Sequence, residues 1–546
     1  VALECLPTRT SCLVRDMSQP GDTFAFPTRD GVPASTLAES ECVRLVNLPE
    51  PLSLQMHAYS DGEIRVNQGT WTTGPIAVAG GDEVRVRLLS GAAADDAQEM
   101  ILVDTAHGDG LVGGFLVRTA NSDRPPQLFQ VGPGRPHREL AQVAPLLRAG
   151  DVVQLDGDAT YAPVTFSRSG LAEAPIVIRG TRVNGRRPVV SGGEYTLRFN
   201  EANHYRLEDL EVTGGSQVCV RAQSDGLRVV RSRVHHCPRH AVLGADSRSG
   251  TLVLDRTEVS DSGGELPGEN LKHAVYVATD RDAYPGSKLK VVHSHIHGFR
   301  GNGIKSRAER AEVYFNWIEG TADADSYYSV QLVGFQEYRT LQGLEGDVVG
   351  NVLVHRSASA LSLGGDGSGE SRGRVRLVHN TVLLHEGFTP WGPPVIRVAY
   401  GFQSLFLANN VFLKVAATDQ ALRLWRHDSA DWVTGQPLCS GHNNWIPSGG
   451  QEDADYTCTG LVNSLRGTAN PGLQDVSSID NLDVTVLPGS VLAGGASPET
   501  VGGPGYQVDN PLTALGAVVT AQRPSPGAER VPEARTGGGP FNIGAR

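Results

Sequence analysis

The sequence predicts an all-β chain: a right-handed parallel β-helix carrying a small β-sandwich at its N-terminal end. Three observations predict it. At 546 residues the chain is too long for one ordinary compact core, so several domains or a repeat are expected. Gly 65 and Pro 32 are abundant while Met is 3 and aromatics are 6%, a turn-rich composition that favours many short strands over helices. From about residue 150 to 415, one apolar strand pattern recurs with a polar residue at a fixed bend.

The N-terminal part comes first. Residues 1–39 read as a segment held by a local disulfide, because Cys5, Cys12 and Cys42 fall close together. Residues 40–120 alternate as a sandwich does, in Val43-Arg-Leu45, Glu63-Ile-Arg-Val66, Glu83-Val-Arg-Val-Arg-Leu88 and Phe115-Leu-Val117, with Asp61-Gly62 and Gly80-Gly81-Asp82 as turns. The run "SDGEIRVNQGTWTTGPIAVAGGDEVRVRLLSG" resembles an immunoglobulin-like module of secreted bacterial proteins. That resemblance implies a spacer, or an element for cell-surface attachment or self-association.

Residues 121–138 read as a linker, and 139–500 as the β-helix. Leu140, Val143, Ala144 and Leu147 share one face of a short amphipathic segment. An open first coil exposes both a sheet edge and a core, and such a helix would close it. The run "LAQVAPLLRAGDVVQLDGDATYAPVTF" resembles the entry to pectate-lyase-like β-helices, which have the same arrangement.

The first strand type appears as Tyr205–Val212, Leu227–Val234, Leu252–Val259, Leu289–Ile296, Glu312–Ile318, Val375–Val382 and Leu405–Phe412. Its bend position holds Ser232, Thr257, Ser294, Asn316, Asn351, Asn380 and Asn410. Asn tolerates the left-handed conformation of a corner, and its amide can bond the amides of adjacent coils, so a stacked structural ladder is expected. "GLQDVSSIDNLDVTVLPGSVLAGGA" resembles the closing coil of secreted β-helix proteins. Residues 501–546 read as an extended arm.

A second strand column supplies the candidate site. Alternation places Cys219, Val242, Val275, Ile304, Val330, Leu361, Ile396 and Leu422 inside, and Val220, Leu243, Tyr276, Lys305, Gln331, Ser362, Arg397 and Arg423 outside. The stripe starts apolar and becomes polar from Tyr276, with Lys305 and Arg307 on one strand face. His240 and His273 precede corresponding strands, and Tyr328 joins them one coil later. The insertions Asp323–Gly346 and Gly364–Gly373 would wall a groove; if the stripe around Lys305 lies under a loop or a subunit contact, the groove idea fails.

"NGIKSRAERAEVYFN" at Asn302–Asn316 resembles a segment of the pectin-lyase-like superfamily. That superfamily includes polysaccharide lyases, glycoside hydrolases, esterases and non-catalytic proteins, so the resemblance implies the fold without assigning the chemistry. The leading expectation is a polysaccharide lyase acting on a uronate-containing polysaccharide by β-elimination. In it Lys305 is the base, Arg307 or Arg397 holds the carboxylate, and Tyr276, His273 or Tyr328 protonates the leaving oxygen. Gln331, His240 and Arg423 complete the substrate contacts. Many family lyases bind Ca2+ through clustered acids, and the sequence displays no clear equivalent.

Two other readings stand beside it. A non-catalytic surface protein, adhesin or filament subunit needs no catalytic set. A glycoside hydrolase needs paired carboxylates, with Asp280, Asp282, Asp323, Asp325, Asp366 and Glu370 as candidates in acidic turns that also suit Ca2+. His293, His295 and His297 alternate onto one face outside the core, and a surface cluster accounts for them better than zinc.

Composition narrows the partners. A net charge of −12 argues against nucleic acid, and no run approaches the roughly 18 to 20 apolar residues of a membrane span. Cys219 with Cys237 and Cys439 with Cys458 suit disulfides, which with an initial Val rather than Met points to a secreted, surface or periplasmic protein.

Overall fold

The computed structural model describes residues 12–18, 21–121, 124–244, 247–264, 271–323, 325–334, 345–356, 359–366, 373–385, 394–399, 404–415, 425–427, 438–448, 461–467 and 470–497. It also describes short stretches at 517–518, 523–527, 533–534, 542 and 544. The first unit is a sandwich of a five-stranded and a six-stranded sheet. Alternation makes its core, with Val43, Leu45, Ile64, Val84, Val86, Leu102 and Val117 fully buried. It begins earlier than expected. Leu13–Asp16 pairs in parallel with Val43–Val46, and Phe24–Ala25 and Arg29–Val32 both pair with Gly110–Thr119. Leu13, Phe24 and Phe26 are therefore core residues of the sandwich, and Cys12–Cys42 is a disulfide within it.

The rest of the chain winds into a right-handed parallel β-helix. Three parallel sheets, of 13, 12 and 10 strands among the described residues, run along it, and each complete rung contributes one strand to each sheet in turn. Inward side chains stack into one core that extends from Val131 to Ile446. The expected linker supplies the first rung, because Leu128–Val131 pairs in parallel with Val152–Asp156. Above it lies the helical turn Leu140–Val143, continued by Ala144–Leu146. Leu140, Val143, Ala144 and Leu147 are buried in the tube core and cover its open end.

The corner between the first and second sheets carries the ladder. Asn316, Asn351 and Asn380 each donate from Nδ2 to Oδ1 of the next asparagine at 3.0 Å, and Asn410 donates to Asn444 at 2.9 Å. Backbone N–H groups of the same residues also donate to the next Oδ1 at 2.9–3.0 Å. The left-handed residue, however, is the one before the ladder position: Phe315 (φ 55°), Gly350 (66°), His379 (54°) and Asn409 (56°). The ladder residue is selected for its amide, and its neighbour takes the strained conformation.

Beyond the last described rung, the expected closing coil is an antiparallel hairpin, Leu473–Asp475 with Asp483–Val486. It lies outside the tube. Leu473, Ile479, Leu482 and Leu492 pack on Trp317, Val352, Val354 and Leu413, which explains why the second sheet is apolar on both faces there. Of the arm, Arg523 pairs with Glu319 and the Gly527 amide donates to Glu258.

The sandwich is docked against the tube. Asn203 donates to Asp30 at 2.8 Å and to the Tyr284 hydroxyl at 3.2 Å, while Arg118 reaches Glu201 at 3.1 Å. Cys219–Cys237 is a disulfide joining a third-sheet strand to a second-sheet strand of the following rung. Cys439 is also disulfide-bonded, while Cys5 and Cys458 lie outside the described residues.

Candidate functional site

The third sheet presents one outward row whose register is fixed by its backbone pairing. Arg198 pairs with Arg221, Arg221 with Leu243, Leu243 with Tyr276, and Tyr276 with Lys305. The row continues through Gln331 and Ser362 to Arg397. Two expected members change. Val220 lies inward, fully buried opposite Val242, so the outward residue of its rung is Arg221 and the early stripe is basic rather than apolar. Arg423 lies outside the described residues, and the strand that continues the row is Trp425–His427, with Arg426 in register with Arg397.

Lys305 and Arg307 sit two residues apart on the strand Ile304–Arg307, so period-two alternation turns both outward. Neither is open to solvent. Asp366 closes over them: its Oδ2 accepts from Lys305 Nζ at 2.8 Å and from Arg307 Nη2 at 2.6 Å. Arg307 also donates from Nε to the Tyr276 hydroxyl at 3.1 Å and from Nη1 to the Gly334 carbonyl at 2.6 Å. The Lys305 ammonium lies 5.5 Å from the centre of the Tyr276 ring. At this rung the expected open groove fails, because Asp366, just beyond the strand Leu361–Gly364, covers both cations.

The electrostatics follow from burial in a cluster of mixed charge. Burial lowers the Lys305 pKa, Arg307 adds to the effect, and the Asp366 ion pair opposes it without prevailing. Asp366 is held below the ordinary carboxylate value: burial opposes this, but Arg307 and Lys305 outweigh it. Arg307 is raised against its own burial, by Asp366 and by Tyr276.

His240 and His273 form a second ladder at the corner leading into this sheet. His240 Nδ1 accepts from the His273 amide at 3.1 Å, and His273 Nδ1 accepts from the Asn302 amide at 3.1 Å. Asn302 Oδ1 then accepts from the Tyr328 amide at 3.2 Å. A ring nitrogen that accepts a backbone hydrogen bond cannot carry a proton, so both imidazoles are neutral. Burial, with Lys272, Arg239 and Lys305 nearby, holds His240 down to about 4. Burial, then Lys305, His240 and Arg307, place His273 well below its ordinary value. His273, expected as a proton donor, is thus a buried corner acceptor.

The remaining expected residues occupy different settings. Gln331 is buried and accepts from Asn302 Nδ2 at 2.7 Å. Tyr328 is half-buried and accepts from the exposed Arg397 at 2.8 Å. Asp280 receives the Arg248 and Ala283 amides in a turn, and Asp323 pairs with Arg300. Burial raises the pKa of Asp282, which has Arg15 of the sandwich nearby. Asp325 donates its amide to Asp323, and Glu370 lies outside the described residues. Asp366 differs, since it reaches the stripe.

His293 occupies a left-handed corner and stacks on Phe315 rather than sharing a face with its neighbours. His295 is buried against His297, which pairs with Glu258 at 3.0 Å. Among the described residues, the one trio of metal-ligating side chains with mutually close atoms is Cys12, Cys42 and Glu83, and those cysteines are joined to each other.

Sequence reasoning missed the seating of Asp366, because its partners lie 59 and 61 positions away. It also missed Arg198, Arg221 and Tyr195, for which the basic residues at alternate positions in "TLRFN" and "VCVRAQ" were the available signal.

No family model matches this chain, and no curated protein matches it. Among solved structures, the chain is similar to a pectate lyase, Pel9A, at 13% identity and a TM-score of 0.42, with 78% of this chain and 96% of that chain covered. It is also similar to an alginate lyase from Paenibacillus sp. str. FPU-7, at 11% identity and a TM-score of 0.27, covering 63% and 98%. A third is the catalytic domain of a GH87 alpha-1,3-glucanase in complex with nigerose, at 7% identity and a TM-score of 0.21, covering 80% and 88%. These likenesses are too distant to assign chemistry. Among the described residues, no helix is long and apolar enough to cross a membrane.

Proposed function

We propose that this chain acts outside the cytoplasm on a uronate-containing polysaccharide and cleaves it by β-elimination. One observation carries the reading: Lys305 and Arg307 converge on a single carboxylate oxygen, beside Tyr276, on the outward face of the sheet. A pocket that receives the carboxylate of Asp366 has the charge and donors to receive the carboxylate of a uronate. The disulfides support an oxidising compartment.

In this reading the incoming carboxylate displaces Asp366 and is held by Arg307. Lys305 Nζ, in its neutral form, takes the proton from the carbon adjacent to that carboxylate. The electron pair forms the new carbon–carbon double bond as the bond to the glycosidic oxygen breaks. The Tyr276 hydroxyl supplies the proton that the leaving oxygen requires. Burial serves this chemistry because it raises the neutral fraction of Lys305 near neutral pH.

A second reading rests on the same contacts. Asp366 satisfies both cations, and a sealed ion-pair cluster suits a non-catalytic binding or structural rod. Incubation with a panel of uronic-acid and neutral polysaccharides separates the readings. Elimination yields products with unsaturated ends, followed by their ultraviolet absorbance. Lys305→Ala is expected to lower turnover at least ~100-fold, a typical general acid–base contribution, with an unchanged circular dichroism spectrum. New reducing ends without unsaturation would indicate hydrolysis. Binding without cleavage would favour the non-catalytic rod.

A further inference from the structure

We infer that the far end of the sandwich holds a binding site for a small amphiphilic amine, an apolar body carrying one primary ammonium. The strand Gly110–Thr119 links this end to the tube, since Arg118 near its close reaches Glu201 while Gly110 begins it. At about 3.3 Å per residue the two ends are about 25 Å apart. The contacts of Thr28, Asp30 and Arg118 with the tube therefore leave the Gly110 end facing away from it.

At that end, residues of both sandwich sheets line a cavity of about 420 Å³. Its floor is apolar. Met17 belongs to the sandwich core, and Leu48, Leu52 and Val112 pack against that core while only partly buried. Leu111, which is exposed, forms the lip. A concave apolar site of a few hundred Å³ with a small number of polar groups is the ordinary form of a small-molecule pocket.

Charge at the mouth selects the ligand class. The charged side chains that line the cavity are Asp22, Glu50, Asp104 and His107, and among the described residues no Lys or Arg joins them. Asp104 is buried: its Oδ1 accepts from the Ser53 and Ala106 amides, and its Oδ2 engages His107 Nδ1. His107 Nε2 in turn reaches Glu50 Oε2 at 3.1 Å. Three carboxylates thus face one imidazole, and the cavity keeps a net negative charge even when His107 is protonated. Glu50 is exposed, and its Oε1 accepts no hydrogen bond among the described residues. An ammonium held above the apolar floor gains from these carboxylates, whereas a carboxylate on the same body is repelled. Acidic side chains border the floor, so the apolar surface stops short of the extended patch that a protein partner needs.

The test is calorimetric titration of the full chain with phenylbutylamine, phenylbutanol and phenylbutyrate, which share one apolar body. The amine is expected to bind about fivefold more tightly than the alcohol, the scale of an ion pair near a protein surface, and the butyrate not at all. Glu50→Gln is expected to narrow that gap to about twofold. A Cβ at Gly110 meets nothing within 4 Å, so Gly110→Trp is expected to fill the cavity and abolish binding with an unchanged melting temperature. Asp104, then Glu50, hold the His107 proton above the usual imidazole range, and its loss makes the cavity more negative. Amine affinity should therefore rise between about pH 6 and about pH 9, and His107→Gln should flatten the rise. Absence of amine binding, an amine held no more tightly than the alcohol, or a Gly110→Trp chain that binds as its parent does, overturns the site. Binding of a capped leucine–lysine–leucine peptide without binding of the amine would give the cavity to a protein partner and equally overturn the proposal.

Discussion

At the scale of single residues, buried polar side chains at the corners donate and accept hydrogen bonds that stitch rungs together. Asn380 donates to the Val348 carbonyl and to Asn410, and its Oδ1 receives both the amide and Nδ2 of Asn351. Asn380→Ala strands several of these groups away from water, and the expected cost is about 3 kcal/mol, read as a lower midpoint in urea. The histidine ladder makes stability depend on acid. Unfolded imidazoles take up protons near 6.5, whereas folded His240 resists until about 4, with His273 displaced in the same direction. Their contribution is intact above pH 6.5 and is lost as pH falls towards 4. His273→Asn should shrink that acid-side loss in thermal melts, because Asn302 already makes the same acceptor contact one rung later. A melt of this variant with undiminished acid sensitivity would mean that other groups carry it.

Single elements decide where the tube ends and which face it offers. The turn Leu140–Val143 with Leu147 closes the first rung, and both leucines are fully buried. Leu147→Asp would place a charge in that seal. The expected result is end-to-end association of uncapped tubes, detected as a concentration-dependent rise in light scattering. Much of this level was legible: the seal, the inward residues of most rungs and the asparagine corner follow from period and side-chain chemistry. The register of the Val218–Gln223 strand was not, because Val218, Cys219 and Val220 are all apolar and all buried. Alternation fixes a face only where polar residues mark the other one, and here the mark is Arg221. The burial of Lys305 was hidden for another reason, since its cover, Asp366, lies outside the strand pattern and 61 positions along the chain.

At the scale of the molecule, a docked sandwich, a capped tube and an outer hairpin leave one outward row with cations at both ends and its centre covered. Composition gave the class of this assembly, yet it could not locate the basic row within a chain of net charge −12. The division at residue 40 failed because sheet partners of the first strands lie up to 89 positions away, as with Phe24 and Gly113. Such pairings are set by tertiary packing and leave little trace in local pattern. The Cys219–Cys237 bond has a mechanical consequence. A solenoid anchored at one end and pulled at the other unspools rung by rung, because each turn is held chiefly by its neighbours. A covalent tie between successive rungs is a stop in that process: unravelling that advances from the far end cannot draw out the chain between positions 219 and 237. A load from that end is carried through the bond itself, so the chain between the two cysteines stays unextended while the rungs before position 219 are pulled in turn.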